Sequence, residues 1–315
     1  MTDAPDMTLD GDDITGPGPT EAEGQPILPV TLGAFLSLTF PTRRMLLAPI
    51  IAEQSLNMLF APRGIGKTHL ASAIILAVAT GTPFLRWNAP DPRRVLLIDG
   101  EMPATVLQER FDAAVAQVMN PSFAREYVSI LAADTFRDGL PDLSSAEGQE
   151  QLAPHLEGFD LIVLDNLSTL CRFGKENDAE SWGPVQGWAL QQRRAGRSVL
   201  FIHHAGKGGD QRGTSRREDV LDTVMRLRLP DDYEASQGAR FILEYTKARG
   251  LLGDDAEPFE AWLRDGAWTM RDATCARDER IIALAGEGLK QRDIASEMGC
   301  GLATVNRVLK RAKDG

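Results

Sequence analysis

The chain has 315 residues, of which 43% are hydrophobic, so it can bury one large core and a small second domain. It contains no run of about 18 apolar residues and begins with polar and acidic residues, so we expect no membrane span, no secretory signal and a cytoplasmic location. The three cysteines, Cys171, Cys275 and Cys300, are far apart and share no metal-site spacing with the histidines, which predicts reduced thiols rather than a disulfide or zinc framework.

The net charge of −11 is unevenly distributed along the chain. Residues 1–24 carry seven acidic residues and no Lys or Arg, which leaves a net charge of −4 for the remainder. The total charge therefore does not exclude a nucleic-acid partner, because the remainder can still contain basic loops. We interpret residues 1–27 as an acidic disordered tail, since they are rich in Gly, Pro, Asp and Thr. An acidic docking segment is the alternative.

After this tail, short apolar runs alternate with helix-like stretches. The apolar runs are Ser55–Phe60, Val95–Ile98, Leu161–Leu164 and Val199–Ile202. The helix-like stretches are Lys67–Ala79, Ala104–Met119, Ala146–Leu156 and Trp182–Ala195. Continuous apolar runs are typical of strands buried on both faces, so we predict an α/β fold with a doubly wound, mostly parallel sheet over residues 28–270. A strand at Phe241–Lys247 and a hairpin at Phe259–Met270, with Asp265 and Gly266 as its turn, end this domain.

The segment after the first apolar run has the spacing of a phosphate-binding loop. It fits the P-loop pattern at every fixed position but the first, where Ala61 replaces Gly. Such a loop turns backbone N–H groups towards phosphates, and the following helix adds its positive dipole end. Lys67 would contact the β- and γ-phosphates and Thr68 would bind Mg²⁺, so we predict ATP and Mg²⁺ as ligands. The residues assigned to nucleotide binding here are Ala61, Pro62, Arg63, Gly64, Ile65, Gly66, Lys67, Thr68 and His69.

Two later apolar runs end in carboxylates. The run Leu161–Leu164 is followed by Asp165, the Walker B pattern, in which the carboxylate helps to hold Mg²⁺. The run Val95–Ile98 is followed by Asp99 and Glu101. We predict Glu101 as the base for the attacking water, because hydrolysis needs a carboxylate near the γ-phosphate. The alternative is that both acids cap the next helix, and we favour this role for Asp99.

The order of these motifs resembles that of the RecA/DnaB-type ATPases, and most of all that of the RepA-like replicative helicases of plasmids and phages. The resemblance covers about residues 30–270 and rests on the P-loop followed by LLIDGEMP, LIVLDNLS, FIHHAGKG, RGTS and YTKARG. It implies a homo-hexameric ring with ATP at the subunit boundaries and single-stranded DNA in the centre. It also implies that His203 and His204 sense the γ-phosphate, and the alternative for each is a hydrogen-bonded core histidine.

In such a ring, cations from a neighbouring subunit stabilise the charge that develops on the transferred phosphoryl group. Lys247 and Arg249 resemble the Lys-x-Arg finger of DnaB-type helicases. Arg212 matches the finger position of the RepA-like group. A solvent-exposed surface charge is the alternative for each of these residues.

Two loops are candidates for contact with single-stranded DNA. The first, residues 205–219, is rich in glycine and includes the basic residues Lys207, Arg212, Arg216 and Arg217. A flexible basic loop can follow a phosphate backbone, so we predict DNA contact there. The second, residues 166–178, contains Arg172, Phe173 and Lys175. Solvent-exposed loops without a ligand are the alternative.

The C-terminal residues have a helical pattern of their own. Residues 271–279 are polar and charged, and we predict a linker there. The predicted helices are Arg280–Gly288, Gln291–Met298 and Leu302–Lys313, with a turn at Gly299–Gly301. This stretch resembles the helix-turn-helix of resolvases and bacterial regulators, so we predict a small all-α DNA-binding domain at residues 280–315.

In a helix-turn-helix, the second helix lies in the major groove of a DNA duplex. By this resemblance Thr304, Asn306 and Arg307 would face the base edges, and Lys310 and Arg311 would lie near phosphate. A helical module that docks to another protein is the alternative.

Together these features predict an ATP-dependent DNA motor, a hexameric replicative helicase of a plasmid, phage or other mobile element. The alternative is a DNA-binding regulator, or an adaptor for replication or partition, that uses ATP as an assembly switch and does not unwind DNA. Both kinds of protein contain the P-loop and the C-terminal helices. A strand-displacement assay separates them.

Overall fold

The computed structural model describes residues 29–172, 179–205 and 219–314. The chain divides into two compact units, Met1–Thr42 and Arg43–Gly315. The predicted acidic tail lies outside the described residues.

The described part of the first unit contains one helix, α1 (Leu32–Ser37). The hydroxyl of Thr31 caps its start by accepting a hydrogen bond from the amide of Ala34 at 3.2 Å. None of the helices within the described ranges has the length and apolar character needed to span a membrane.

The second unit alternates strands and helices, as the sequence predicts. Its described strands are β1 (Met45–Leu47), β2 (Ile51–Ala52), β3 (Leu56–Ala61), β4 (Pro83–Phe84), β5 (Trp87–Asn88), β6 (Val95–Asp99), β7 (Val128–Ala132), β8 (Leu161–Asp165), β9 (Ser198–His204), β10 (Thr223–Arg228), β11 (Arg240–Ala248), β12 (Phe259–Arg264) and β13 (Ala267–Asp272). Its described helices are α2 (Lys67–Thr80), α3 (Ala104–Val115), α4 (Pro121–Tyr127), α5 (Ala146–Leu152), α6 (Leu167–Leu170), α7 (Ala179–Arg194), α8 (Ala273–Gly286), α9 (Gln291–Glu297) and α10 (Leu302–Asp314).

Nine of these strands form one sheet in the order β13-β12-β11-β10-β3-β9-β8-β6-β7. The strands from β10 to β7 in this order are parallel to their neighbours, whereas β10, β11, β12 and β13 pair antiparallel. The prediction of a doubly wound, mostly parallel α/β fold is therefore confirmed. Because the central strands are parallel, the carboxyl ends of β3, β6, β8 and β9 lie at the same edge of the sheet.

Apolar clusters cover both faces of this sheet. In β8, Leu161 and Val163 belong to the cluster that includes α2, and Ile162 and Leu164 belong to the opposite cluster, with Trp188 of α7. A strand that is buried on both faces needs an apolar residue at every position, which explains the uninterrupted run in the sequence. Packing on both faces holds the strand ends in place at the edge where the candidate site lies.

Aromatic side chains fix the β4–β5 hairpin to the antiparallel strands. The ring of Trp87 meets that of Phe259 edge to face, and Phe84 meets Trp268 in the same way, with ring centroids 5.7 Å apart in both pairs. The indole Nε1 of Trp87 donates a hydrogen bond to the hydroxyl of Tyr245 at 3.1 Å. Burial raises the pKa of Tyr245 to about 12.

The segment 271–279, predicted as a linker, has regular structure instead. Strand β13 is followed directly by α8, so no spacer separates the sheet from the C-terminal helices. Arg271 joins the two elements, because its guanidinium lies 3.0 Å from the carboxylate of Glu260 in β12 and 2.8 Å from that of Glu279 in α8. The polar residues that suggested a linker therefore include ion-pair partners on a strand and a helix.

Helices α8, α9 and α10 enclose a small core that is separate from the two sheet clusters. Its buried residues are Ile281, Leu284, Ile294, Met298, Val305 and Val308, and Ala295 and Leu309 pack against them. The turn between α9 and α10 contains Gly299 with a φ of 56°, which suits a residue without a Cβ. The structure thus contains the three C-terminal helices, and their role as a helix-turn-helix stays a prediction.

Candidate nucleotide site

The predicted P-loop connects β3 to α2 at the carboxyl edge of the sheet. Gly64 and Gly66 have φ values of 79° and 109°, in the left-handed region that favours glycine. A Cβ on Gly66 would lie 2.8 Å from the Cβ of Ala239, so this position also has no room for a side chain. The loop therefore closes tightly before the first turn of α2, which is the geometry that exposes backbone N–H groups to phosphate.

Lys67 is the first residue of α2, and its side chain turns back over the loop. Its Nζ donates hydrogen bonds to the carbonyl oxygens of Ala61 at 3.0 Å and Pro62 at 2.9 Å. Burial lowers the pKa of Lys67 to about 8, against the opposing effect of the carboxylates of Asp165 and Glu101. The Lys67 ammonium therefore lies close to the carboxylates of both Asp165 and Glu101.

Asp99 and Asp165 end two neighbouring strands at the same level of the sheet. The two residues are direct partners in the parallel pairing of β6 with β8, and both are buried. Burial raises the pKa of Asp165 to about 7, and the nearby Asp99 and Glu101 raise it as well, whereas a hydrogen bond from the hydroxyl of Thr68 acts in the opposite direction. Burial also raises the pKa of Asp99. Two buried carboxylates held this close favour a bound cation.

Thr68 and Asp165 fit the predicted Mg²⁺ site. They place a hydroxyl and a carboxylate oxygen in hydrogen-bond contact, and hard oxygen ligands are those that Mg²⁺ prefers. Asp99 has a different task, because its Oδ1 accepts the amides of Glu101 at 3.0 Å and Met102 at 2.7 Å. Its Oδ2 is buried, and no hydrogen-bond partner of this atom occurs among the described residues. The prediction that Asp99 caps the next helix is wrong, because both amides precede α3, whose N-cap is Pro103 with no side-chain hydrogen bond, and Asp99 instead stabilises the turn after β6.

Glu101 lies beside His204 at the ends of β6 and β9. The His204 Nε2 is 3.3 Å from the Oε2 of Glu101, and the side-chain amide of Asn166 donates a hydrogen bond to the same carboxylate. Burial and the charge of Lys67 lower the pKa of His204. His203 is also buried, but it lies on the opposite face of β9, the face of Phe201, because successive side chains of a strand alternate. The structure brings one of the two predicted sensor histidines into the site.

These groups line a pocket of about 500 Å³. The predicted residues in its lining are Arg63, Gly64, Gly66, Lys67, Thr68, His69, Glu101, Asp165 and His204. Burial lowers the pKa of His69, and the charge of Arg110 lowers it further. The side chain of Ile65 instead packs into the core below the loop.

Several residues of the site were not predicted from the sequence. Arg110 of α3 and the pair Gly238–Ala239, from the connection between β10 and β11, line the pocket. Asn166 contacts both Glu101 and His204. The sequence does contain one indication of a role for Asn166, because it follows the Walker B aspartate directly and Asn is a common N-cap residue of a helix. Nothing in the sequence marks the approach of Ala239 to Gly66.

The predicted finger residues Lys247 and Arg249 lie at the opposite end of the sheet. Thr223 of β10 pairs with both Asn57 of β3 and Ala248 of β11, so the end of β11 lies at the same edge of the sheet as the start of β3, opposite the P-loop of the same chain. The Nζ of Lys247 and the Nη2 of Arg249 donate to the carbonyl oxygen of Asp219 at 3.2 and 3.0 Å. They do not contribute to the phosphate site of their own chain.

The loop predictions are only partly within the described residues. Arg212, Arg216 and Arg217 lie outside them, as do Phe173 and Lys175. The start of the second predicted loop is ordered structure, because residues 167–170 form helix α6. Arg172 donates to the carbonyl oxygen of Leu140 at 2.9 Å, so its guanidinium is engaged within the chain.

The predicted DNA-reading residues lie along α10. Val305 and Val308 are buried against α8 and α9, which turns Asn306, Arg307 and Lys310 to the exposed side. Thr304 is half-buried at the start of the helix, and the side chain of Arg311 lies outside the described part of the chain. One face of α10 therefore exposes an amide and two cationic side chains, and its contact with DNA stays a prediction.

Comparisons with known proteins concern the family and the fold of the chain. A family model described as an AAA domain matches residues 21–210, more than half of the chain, including the P-loop and both acidic strand ends. A KaiC-like protein of the hyperthermophilic archaeon Pyrococcus horikoshii OT3 superposes with a TM-score of 0.51 at 12% identity, over 70% of this chain and 90% of its own. A RadB recombinase gives a TM-score of 0.48 at 14% identity, over 69% and 90% of the two chains. The chain belongs to the AAA domain family, and it has a RecA-like α/β fold with a P-loop.

Proposed function

We propose that the protein is a Mg²⁺-dependent ATPase that acts on DNA. The observation that carries this proposal is the convergence of Lys67, Thr68, Asp165 and Glu101 at one edge of the sheet. A phosphate-binding cation, two oxygen ligands for a metal ion and a carboxylate base are thereby brought into one pocket. Membership of the AAA domain family supports ATP as the substrate.

Each residue of the pocket has a distinct task in hydrolysis. The loop amides and the Lys67 ammonium bind the phosphates, and Thr68 and Asp165 would hold Mg²⁺, which neutralises charge on the phosphate oxygens. Glu101 accepts a proton from water while the water oxygen bonds to the γ-phosphorus. The bond between that phosphorus and the bridging oxygen breaks, so the products are ADP and inorganic phosphate. His204, next to Glu101, is placed to contact the γ-phosphate.

A neighbouring copy of the chain completes this site in our proposal. Lys247 and Arg249 lie at the sheet end opposite their own P-loop, so they can meet a nucleotide only on another subunit. The sequence resemblance supports a homo-hexameric ring around single-stranded DNA, with Arg212 as the second candidate finger and Arg216 and Arg217 as candidate DNA contacts. The exposed face of α10 would bind duplex DNA.

The specific activity that we propose is that of a replicative helicase of a mobile element. An ATP-switched DNA-binding regulator is the second candidate, and the exposed Asn306 and Arg307 on α10 favour it, because reading of base edges serves a regulator more directly than a motor. Strand displacement on a forked duplex is the deciding assay, and the helicase proposal fails if ATP is hydrolysed without displacement.

The ATPase itself is tested with Lys67→Ala, with Arg125→Ala on the surface helix α4 as the matched control. We expect loss of turnover in the first variant and none in the second. Wild-type turnover in Lys67→Ala would contradict the proposed function.

A further inference from the structure

Asn166 lies between the candidate base and the candidate sensor and is 1% exposed. Its Oδ1 accepts hydrogen bonds from the amides of Ser168 at 2.9 Å and Thr169 at 3.2 Å, which caps α6. Its Nδ2 donates to the Oε2 of Glu101 and lies 3.1 Å from the Nε2 of His204. One side chain thus contacts a helix start, a carboxylate and an imidazole.

The side-chain amide of Asn166 can be oriented in only one way. The two backbone N–H groups of α6 are donors, so the atom that faces them is the oxygen. The NH₂ group must then face Glu101 and His204. The Nε2 of His204 also lies 3.3 Å from the Oε2 of Glu101, so the amide, the carboxylate and the imidazole meet at one point.

The backbone around Glu101 is fixed as well. The amide of Gly100 donates to the carbonyl oxygen of Asp165 at 2.7 Å. A Cβ on Gly100 would lie 2.6 Å from the Oγ1 of Thr169, so the end of β6 packs directly on α6. This close approach keeps the Glu101 carboxylate within reach of the Asn166 amide.

We propose that Asn166 is a positioning residue for hydrolysis, which holds the Glu101 carboxylate and the His204 imidazole in one arrangement. The inference rests on the proposed ATPase function. Without the donor, the carboxylate loses the hydrogen bond that fixes its rotamer, and the link to the histidine is broken. Loss of such a supporting hydrogen bond reduces activity by about 10- to 100-fold.

The key variant is Asn166→Asp, which keeps an oxygen for the helix cap and replaces the NH₂ donor by an acceptor. We expect kcat to fall by about 10- to 100-fold, with ATP affinity within about threefold of the wild type. Ser145→Ala is the matched control, because the Ser145 hydroxyl caps α5 by accepting the amide of Gly148 at 3.0 Å, away from the pocket. It should lower the Tm and leave kcat unchanged.

A double-mutant cycle with Glu101→Gln separates positioning from a general loss of structure. If Asn166 acts through Glu101, the variant with both substitutions should turn over no more slowly than Glu101→Gln alone. If the fold-losses of turnover in the two single variants multiply in the double variant, the inference is overturned. Wild-type kcat in Asn166→Asp would also overturn it, because Asn166 would then be a helix cap alone. Equal losses of kcat and ATP affinity would do so too, because they would show a general disturbance of the pocket.

Failure of this inference differs from failure of the proposed function. If the wild type hydrolyses ATP and Lys67→Ala does not, a wild-type rate in Asn166→Asp removes only the role of Asn166. If the wild type shows no turnover that depends on Lys67, the proposed function and the role of Asn166 are both wrong.

Discussion

Asp99 and Asp165 lie directly opposite each other at the ends of neighbouring parallel strands, yet their carboxylates are engaged differently. The carboxylate of Asp99 accepts hydrogen bonds from two backbone amides, whereas that of Asp165 accepts one from the hydroxyl of Thr68. We therefore expect Asp165→Asn to lower turnover by at least about a hundredfold, because a catalytic metal ion supplies several kcal/mol of stabilisation. Asp99→Asn keeps an acceptor for the turn and should lower turnover less than about tenfold. Mg²⁺ titration of the ATPase rate measures both, and equal losses would assign the metal ion to both acids.

Glu101→Gln should separate nucleotide binding from hydrolysis. The substitution keeps size and hydrogen bonding but removes the base, so hydrolysis should fall by at least about a hundredfold while ATP still binds. Fluorescent-nucleotide titration gives the affinity, and single-turnover phosphate release gives the rate. Parallel losses of affinity and rate would show that Glu101 is needed for the structure of the pocket.

Arg249→Ala should bind ATP without hydrolysing it, since we place Arg249 at the nucleotide of a neighbouring subunit. Mixing this variant with Lys67→Ala should restore part of the activity, because a mixed boundary can pair an intact P-loop with an intact finger. The measurement is the ATPase rate against mixing ratio, with Arg212→Ala and Lys247→Ala assayed in the same way. No restoration at any ratio would show that Arg249 does not act between subunits.

Removal of residues 273–315 should leave the ATPase core folded, because the small core of α8, α9 and α10 is separate from the two sheet clusters. Duplex DNA binding should weaken strongly, while any stimulation of the ATPase by single-stranded DNA should remain. Fluorescence anisotropy with duplex and single-stranded probes measures both. Unchanged duplex affinity would make the helices a protein-docking module and favour the adaptor alternative.

Point variants refine this test of α10. Arg307→Ala should reduce the preference among duplex sequences, because contacts to base edges specify the sequence. Lys310→Ala should weaken all duplexes to a similar degree and lower the salt slope by about one. If Lys310→Ala instead reduced the sequence preference and Arg307→Ala weakened all duplexes alike, Lys310 would contact base edges and Arg307 would contact phosphate.

Tyr245 should make stability depend on alkaline pH. Its pKa in the folded protein is about 12, above its usual 10.0, so the folded state holds the phenolic proton more tightly than the unfolded chain. This contribution is fully present below pH 10 and is lost as the pH rises towards 12. Urea unfolding across this window should show a smaller loss of stability for Tyr245→Phe than for the wild type. Equal losses of stability in the wild type and in Tyr245→Phe would show that Tyr245 does not cause the pH dependence.

The buried strands and the P-loop could be predicted because their physical signals are local. β3, β6, β8 and β9 are buried on both faces and therefore read as apolar runs, and the loop glycines have a fixed spacing. Strand β7 was missed because Ser129 and Ile130 are exposed at the sheet edge, so the strand lacks a continuous apolar pattern. Strand β10 was missed because Arg226 and Arg228 interrupt its apolar residues.

Contacts between distant parts of the chain could not be predicted. The hydrogen bonds of Asp99 stay within the turn after its own strand, but the contacts of Asn166 need the ends of β6, β8 and β9 side by side. The distance of Arg249 from its own P-loop depends on strand order, which motif spacing does not contain. The error at residues 271–279 has the same origin, because Arg271 and Glu260 pair across the β12–β13 hairpin.

The direct passage of β13 into α8 has a mechanical consequence. A flexible linker would transmit little of the motion of the sheet to the C-terminal helices, whereas α8 begins at the residue that follows β13. In the ring that we propose, rotation of one subunit against the next would carry α10, which is about 20 Å long, along with the sheet. Duplex DNA bound to Asn306 and Arg307, as we predict, would then be displaced by the same rotation.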